Sequence, residues 1–153
     1  MQKIPEEEAR ALVRKPLFCE DIDDWSPLKV QRGTVVCGAG VLDENGESVR
    51  MYVELAYRNT HRTKITTYLF TLFKRYPYGK ERVYQLEITQ TPKRIKDLHK
   101  LSHEHMGSLR TLGDVNWGGW GYDEVLAHFC AKTNITFKPR PSHPEEFQLT
   151  ADR

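Results

Sequence analysis

Between Val49 and Gln90 the apolar side chains fall on every second position in successive stretches. A period of two fits a strand and no helix. In Val49–Tyr57, the residues Met51, Val53, Leu55 and Tyr57 alternate with Tyr52, Glu54, Ala56 and Arg58, the pattern of a half-buried strand. In Arg82–Gln90, Tyr84, Leu86 and Ile88 alternate with Gln85, Glu87 and Thr89. Between them, Lys64–Lys74 carries Ile65, Leu69 and Phe73 on one side and Tyr68, Phe70 and Leu72 on the other, which reads as a central strand covered on both faces. A further strand, Lys29–Leu42, precedes these and is bulged near Gly33, Gly38 and Gly40. Asp43-Glu44-Asn45-Gly46, residues 59–62 and Tyr76-Pro77-Tyr78-Gly79 are short turns, so neighbouring strands run antiparallel.

Helices flank this block. In Pro5–Lys15, proline opens the first turn, Glu6, Glu7 and Glu8 meet the positive helix end, and Pro16 stops it. Residues 17–27 read as an irregular acidic loop that Phe18, Trp25 and Leu28 pin to the body. Asp123–Thr133 reads as a second helix whose stripe is Val125, Leu126 and Phe129. The tail from Phe137 contains Pro139, Pro141 and Pro144 and reads as extended. The expectation is one α+β domain: an antiparallel sheet of four or five strands with an N-terminal and a C-terminal helix packed on it. Its parts are 1–27, helix and acidic loop; 28–91, sheet; 92–121, a histidine-rich and glycine-rich segment; and 122–153, helix and tail.

A chain of 153 residues is the size of one ordinary domain. No apolar run approaches the length of a membrane span, and the start is not that of a signal peptide. Cys19, Cys37 and Cys130 form no CxxC motif, which argues against a disulfide-built secreted domain and sets a cytoplasmic expectation. Cys19 reads as a surface residue. The net charge of +2 conceals a strong asymmetry. Residues 58–100 hold eleven basic and three acidic side chains, an excess that attracts a polyanion. Around the third turn, Lys74, Arg75, Lys80 and Arg82 interleave with Tyr76 and Tyr78, so bases could stack while phosphates meet the charges. Lys93, Arg94, Lys96 and Lys100 continue the basic stretch.

It ends in HKLSHEHMG, residues 99–107, which holds His99, His103 and His105. If residues 103–105 are extended, His103 and His105 share a face and Glu104 points away. RNA cleavage through its own 2′-hydroxyl needs a base, an acid and a cation for the developing phosphate charge. Histidine serves for the first two near neutrality. His103 and His105 are the expected pair, His99 is in reserve and Arg110 is a local cation; Arg58, Arg62 or Lys64 could approach from the sheet, and Tyr68 or Tyr84 could orient a proton. A metal clamp is the competing chemistry, with Asp97, Asp114 or His128 as a further ligand. HEH is not the HExxH signature of zinc hydrolases, and neither a metal nor a cofactor is expected. Trp117 and Trp120 flank two glycines and serve either as binding anchors or as a cap on the core, and His128 reads as a packed residue.

His103-Glu104-His105-Met106-Gly107, followed by Tyr122-Asp123-Glu124-Val125-Leu126 and the Phe129 helix, resembles the C-terminal half of the TumE-type toxins of bacterial toxin–antitoxin pairs. The resemblance spans roughly residues 84–133 and rests on His103, His105, Gly107, Leu126 and Phe129, with His99 answering to a polar position upstream. It implies a small α+β ribonuclease of a mobile element, held in check by an antitoxin. Two expectations follow. One is a metal-independent endoribonuclease of toxin type. The other is a non-enzymatic binding or inhibitory protein of a phage or mobile element that engages a host protein or nucleic acid through its basic, aromatic surface. The partners expected are RNA or another polyanion, an antitoxin or host protein, a second copy of the chain, and no membrane.

Overall fold

The structure, a computed structural model, describes residues 3–60, 62–91 and 102–145. Four long strands form its centre: β3 (Thr34–Leu42), β4 (Ser48–Thr60), β5 (Ile65–Tyr76) and β6 (Gly79–Gln90). They are joined as consecutive antiparallel neighbours. The Asp43–Gly46 turn closes as its sequence predicts: Gly46 takes φ +78°, and the Asp43 carboxylate accepts the Asn45 and Glu47 N–H groups at 2.8 and 3.0 Å.

Five shorter strands extend this centre, so the described residues form a nine-stranded sheet rather than one of four or five. The strands β7 (His103–Met106) and β8 (Leu109–Leu112) continue it beyond β6. On the other side β3 pairs with β1 (Leu17–Cys19) and β2 (Ser26–Pro27), and β1 pairs in parallel with β9 (Ile135–Phe137). Strands of two to four residues are too short to show a period, which is why residues 17–27 read as a loop. β3 itself starts at Thr34, five residues later than expected, because Leu28–Thr34 closes as turns.

Among the described residues, both α-helices lie on one side of the sheet. α1 is Glu6–Leu12, shorter than expected, with Ala9 fully buried. It leaves helical geometry at Val13, before the residue whose helical conformation Pro16 would disfavour. α2 (Tyr122–Thr133) lays Tyr122, Val125, Leu126, Phe129 and Thr133 against the sheet and ends at Asn134 in the left-handed region, φ +62°. Below it sit Val53, Leu55 and Tyr57 of β4, Tyr68, Phe70 and Leu72 of β5, and Tyr84, Leu86 and Ile88 of β6, each no more than 1% exposed. Phe129 meets both Phe70 and Tyr84 at ring-centre distances of 5.9 Å. A 3-10 turn at Val115–Gly119 carries Trp117 into the same layer. The tail is fastened there too: Trp25 Nε1 donates to the Ser142 carbonyl at 2.7 Å, and the Tyr122 hydroxyl donates to that of Pro141 at 3.1 Å.

The opposite face carries no helix among the described residues. β5 is central within the sheet but is not covered on both sides: Leu69 and Phe73 are half-buried on the open face. Cys19, expected at the surface, is fully buried, and Cys19, Cys37 and Cys130 are all free thiols. Burial pushes Cys19 up to about 12 and Cys130 to about 11, so neither supplies a thiolate near neutrality.

The turn between β7 and β8 is Gly107-Ser108. Gly107 takes φ +57°, and a Cβ there would lie 2.6 Å from the Ile4 carbonyl oxygen and 2.8 Å from that of Pro5. Left-handed backbone and close approach both demand glycine. Gly107→Ala should therefore cost about 2–4 kcal/mol of stability, read from chemical denaturation. An equal midpoint for wild type and variant would show that the N-terminal segment does not pack on this turn.

Candidate functional site

The register of the long strands arranges the open face in rows. One row runs Gly38, Glu54, Thr71, Gln85, His105, Arg110 from β3 to β8. The next runs Val36, Ala56, Leu69, Glu87, His103, Leu112. A third consists of Thr34, Arg58, Thr67 and Thr89. On the other flank lie Tyr52, Phe73 and Arg82, then Arg75 paired with Lys80. β7 is extended, so His103 and His105 share this face, with ring centres 5.1 Å apart, and Glu104 points to the helical side.

The two imidazoles differ in what they offer. His103 Nε2 lies 3.0 Å from Glu87 Oε2, and its Nδ1 is buried without a partner. His105 Nδ1 is also buried without a partner. His105 Nε2 is thus the one imidazole nitrogen of this pair that is neither paired nor buried. Burial lowers the His105 pKa to about 4, helped by the positive charges of Arg82, His103, Arg110 and Lys3. The ring is therefore neutral at pH 7 and able to accept a proton or a hydrogen bond. Arg82 Nη1 donates to Gln85 Oε1 at 2.9 Å, and Gln85 Nε2 donates to Thr71 Oγ1 at 2.9 Å, which fixes the guanidinium beside His105. Desolvation lowers the Arg82 pKa from its usual value, but a guanidinium stays charged.

The cations expected to bind nucleic acid divide. Arg75, Lys80 and Arg82 stand on the open face: Arg75 lies over the Tyr52 ring at 5.3 Å and Lys80 over Phe73 at 4.3 Å. Lys74 is turned to the helical side, where it approaches Tyr76 at 5.5 Å, because alternation places it with Leu72. Arg110 faces His105 across the β7–β8 pair. His99, Lys93, Arg94, Lys96 and Lys100 lie outside the described residues. Tyr68 and Tyr84 are buried on the helical side and do not meet the histidine pair.

A second polar cluster, not foreseen from the sequence, lies behind β7. The Tyr84 hydroxyl donates to Glu104 Oε1 at 2.6 Å, and His128 Nε2 lies 3.3 Å from the same oxygen. Burial raises the Glu104 pKa, but hydrogen bonds from His128 and Tyr84 and the nearby Lys132 charge outweigh it, and the carboxyl ends below its usual range. His128 is packed, as expected, with Trp117 and Trp120 at 5.2 and 5.3 Å. The two tryptophans stack on each other and cap this region. Among the described residues no group of three or more His, Cys, Asp or Glu side chains is placed to hold a metal ion. The sheet itself separates Glu104 and His128 from His103 and His105.

Compared with known proteins, the chain matches no family model, no curated protein and no solved structure. No helix among the described residues is long and apolar enough to cross a membrane.

The depressed His105 pKa links protonation to folding. The unfolded chain binds a proton at this ring below its ordinary value of 6.5, while the folded protein resists until about 4. Stability from this group is present above the upper value and is lost as pH falls through that window. Thermal melts should fall from pH 6.5 to pH 4, and His105→Leu should flatten that fall. An unchanged slope in the variant would remove His105 from the account.

Proposed function

We propose that the open face of the sheet binds single-stranded RNA along its phosphate backbone. The observation that carries this reading is the gathering of Arg58, Arg75, Lys80, Arg82 and Arg110 on one face, against the carboxylates Glu54 and Glu87 in the same rows and Asp23 at the Gly38 edge. Phosphates meet the guanidinium and ammonium groups, while Tyr52 and Phe73 offer aromatic surface. The stacked Tyr76 and Tyr78 of the hairpin tip lie on the α1 side, where the Tyr76 hydroxyl donates to Glu8, and take no part in this face. Binding to RNA should weaken steeply with salt, each contacted phosphate adding about −0.7 to the slope of log affinity against log salt. Replacing Arg75 and Lys80 together with glutamine should lower affinity about tenfold and make that slope shallower by about 1–2, followed by fluorescence anisotropy. Affinity indifferent to salt, or to both substitutions, would overturn this assignment.

A second reading, cleavage of the bound strand without a metal, is favoured by the unpaired Nε2 of neutral His105 between Arg82 and Arg110. His105 takes the proton of a 2′-hydroxyl, the 2′-oxygen attacks phosphorus, and the arginines stabilise the charge that develops. The bond to the 5′-oxygen breaks, leaving a cyclic phosphate and a 5′-hydroxyl. That oxygen takes its proton from solvent water, since His103 Nε2 is held by Glu87 and its Nδ1 is buried. The toxin resemblance belongs to this reading, supported by the HxH pair ahead of the Gly107 turn and by the buried Leu126 and Phe129 of α2. His105→Ala should abolish cleavage and spare RNA binding. Cleavage that persists in a His103→Ala, His105→Ala double variant would overturn the histidine mechanism.

A further inference from the structure

Beside the histidine row, the open face sinks into a depression of about 280 Å³. Its wall includes the whole third row, Thr34, Arg58, Thr67 and Thr89, together with Gln31 and Glu87. Four adjacent strands thus each supply one of its polar side chains. The groups at the Arg58 end are donors suited to an oxyanion: a guanidinium, the hydroxyls of Thr34 and Thr67, and a side-chain amide.

Two of these groups are unspent. Thr34 is 4% exposed, and its hydroxyl is buried with no hydrogen-bond partner. Arg58 Nε is buried and likewise without a partner, and among the described residues Arg58 makes no ion pair. Buried polar atoms without partners are uncommon in folded proteins, and two in one depression call for a ligand that supplies acceptors. An oxyanion does so for both.

Glu87 sets the polarity of the remaining wall. It stands one row nearer the histidines, on the same strand as Thr89, and its Oε2 is turned to His103. A carboxylate repels a phosphate but accepts hydrogen bonds from hydroxyls. The depression is therefore polarised, with anion recognition at the Arg58 end and hydroxyl recognition at the Glu87 end. A ribonucleotide has this polarity, with its phosphate at one end and its ribose hydroxyls at the other. We infer that the depression is a ribonucleotide subsite, with the phosphate on Arg58, Thr34 and Thr67 and the ribose toward Thr89, Glu87 and His103. This deepens the RNA-binding reading and rests on it for one source of the nucleotide, a residue within a strand; the other source is a free nucleotide.

The test titrates the full chain with uridine monophosphate, uridine, inorganic phosphate and an oligouridylate, following thermal shift and calorimetry. Uridine monophosphate should bind saturably, inorganic phosphate more weakly, and uridine weakest. Arg58→Gln should weaken the nucleotide at least tenfold. Thr34→Val should weaken it several-fold without lowering the melting temperature, because the hydroxyl it removes has no partner within the protein. Uridine binding as well as its monophosphate, or an Arg58→Gln variant of unchanged nucleotide affinity, would overturn the subsite. Oligouridylate displacing the nucleotide supports the strand as source. Nucleotide binding without oligouridylate binding upholds the subsite with a free ligand and overturns the RNA-binding reading. Oligouridylate binding that Arg58→Gln leaves untouched, with no nucleotide binding, does the reverse.

Discussion

A slip of one residue between β5 and β6 would carry Tyr84, Leu86 and Ile88 onto the open face and bring Gln85, Glu87 and Thr89 under α2. The register is fixed because three fully buried side chains on each of β4, β5 and β6 fill one layer with Phe129. Each large apolar side chain so buried contributes about 1.5–3 kcal/mol, while the alternative would also place carboxamide and carboxylate groups in that layer without partners. Every position on the open face inherits its place from this packing. The polar rows exist because the apolar ones are fixed.

The same constraint reaches β7 by a different route. This strand has only four residues and one deeply buried apolar side chain, Met106. Its orientation is reinforced by Glu104, whose carboxylate is held on the helical side by Tyr84 of β6 and His128 of α2. An unsatisfied buried hydroxyl is costly, so turning β7 over would leave Tyr84 with no acceptor and bring the imidazoles of His103 and His105 to the helical side in place of Glu104. Alternation then sends His103 and His105 the other way. The cluster behind the strand is thus a positioning device for the pair in front of it.

How far this was legible follows from strand length. The four long strands declare their inward faces through a sustained period of two, and the outward set Gln85, Glu87 and Thr89 was readable with them. β1, β2 and β9 have two or three residues each, too few for a period, and the acidic sequence around β1 and β2 reads as loop. The shared face of His103 and His105 followed from extended backbone alone. Their neighbours did not, because which residue stands opposite His103 depends on pairing between strands separated by a segment without a clear pattern. Glu87 was visible as outward-facing but not as the partner of His103. Lys74 stands apart from Arg75, Lys80 and Arg82 for a related reason: charge density along the chain gathers residues that alternation splits between faces.

What distinguishes the open face from an ordinary solvated sheet surface is where its polar groups are left. A solvated face keeps its charges in water, where they need no partner. Here Arg58 Nε, Arg82 Nε, the Thr34 hydroxyl and Nδ1 of both His103 and His105 are shielded from water and receive no compensating hydrogen bond within the protein. The cost falls on both sides of the histidine row, in β3, β4, β6 and β7, and so cannot be assigned to one poorly packed corner. The His105 pKa reports the same condition, since a ring surrounded by cations and partly removed from water resists protonation. An anion laid across this face would lower the cost at several of these positions together: it supplies acceptors to the arginines and hydroxyls and offsets the positive field at His105. Folding fixes these groups through the packing beneath them, and binding is the step that would satisfy them.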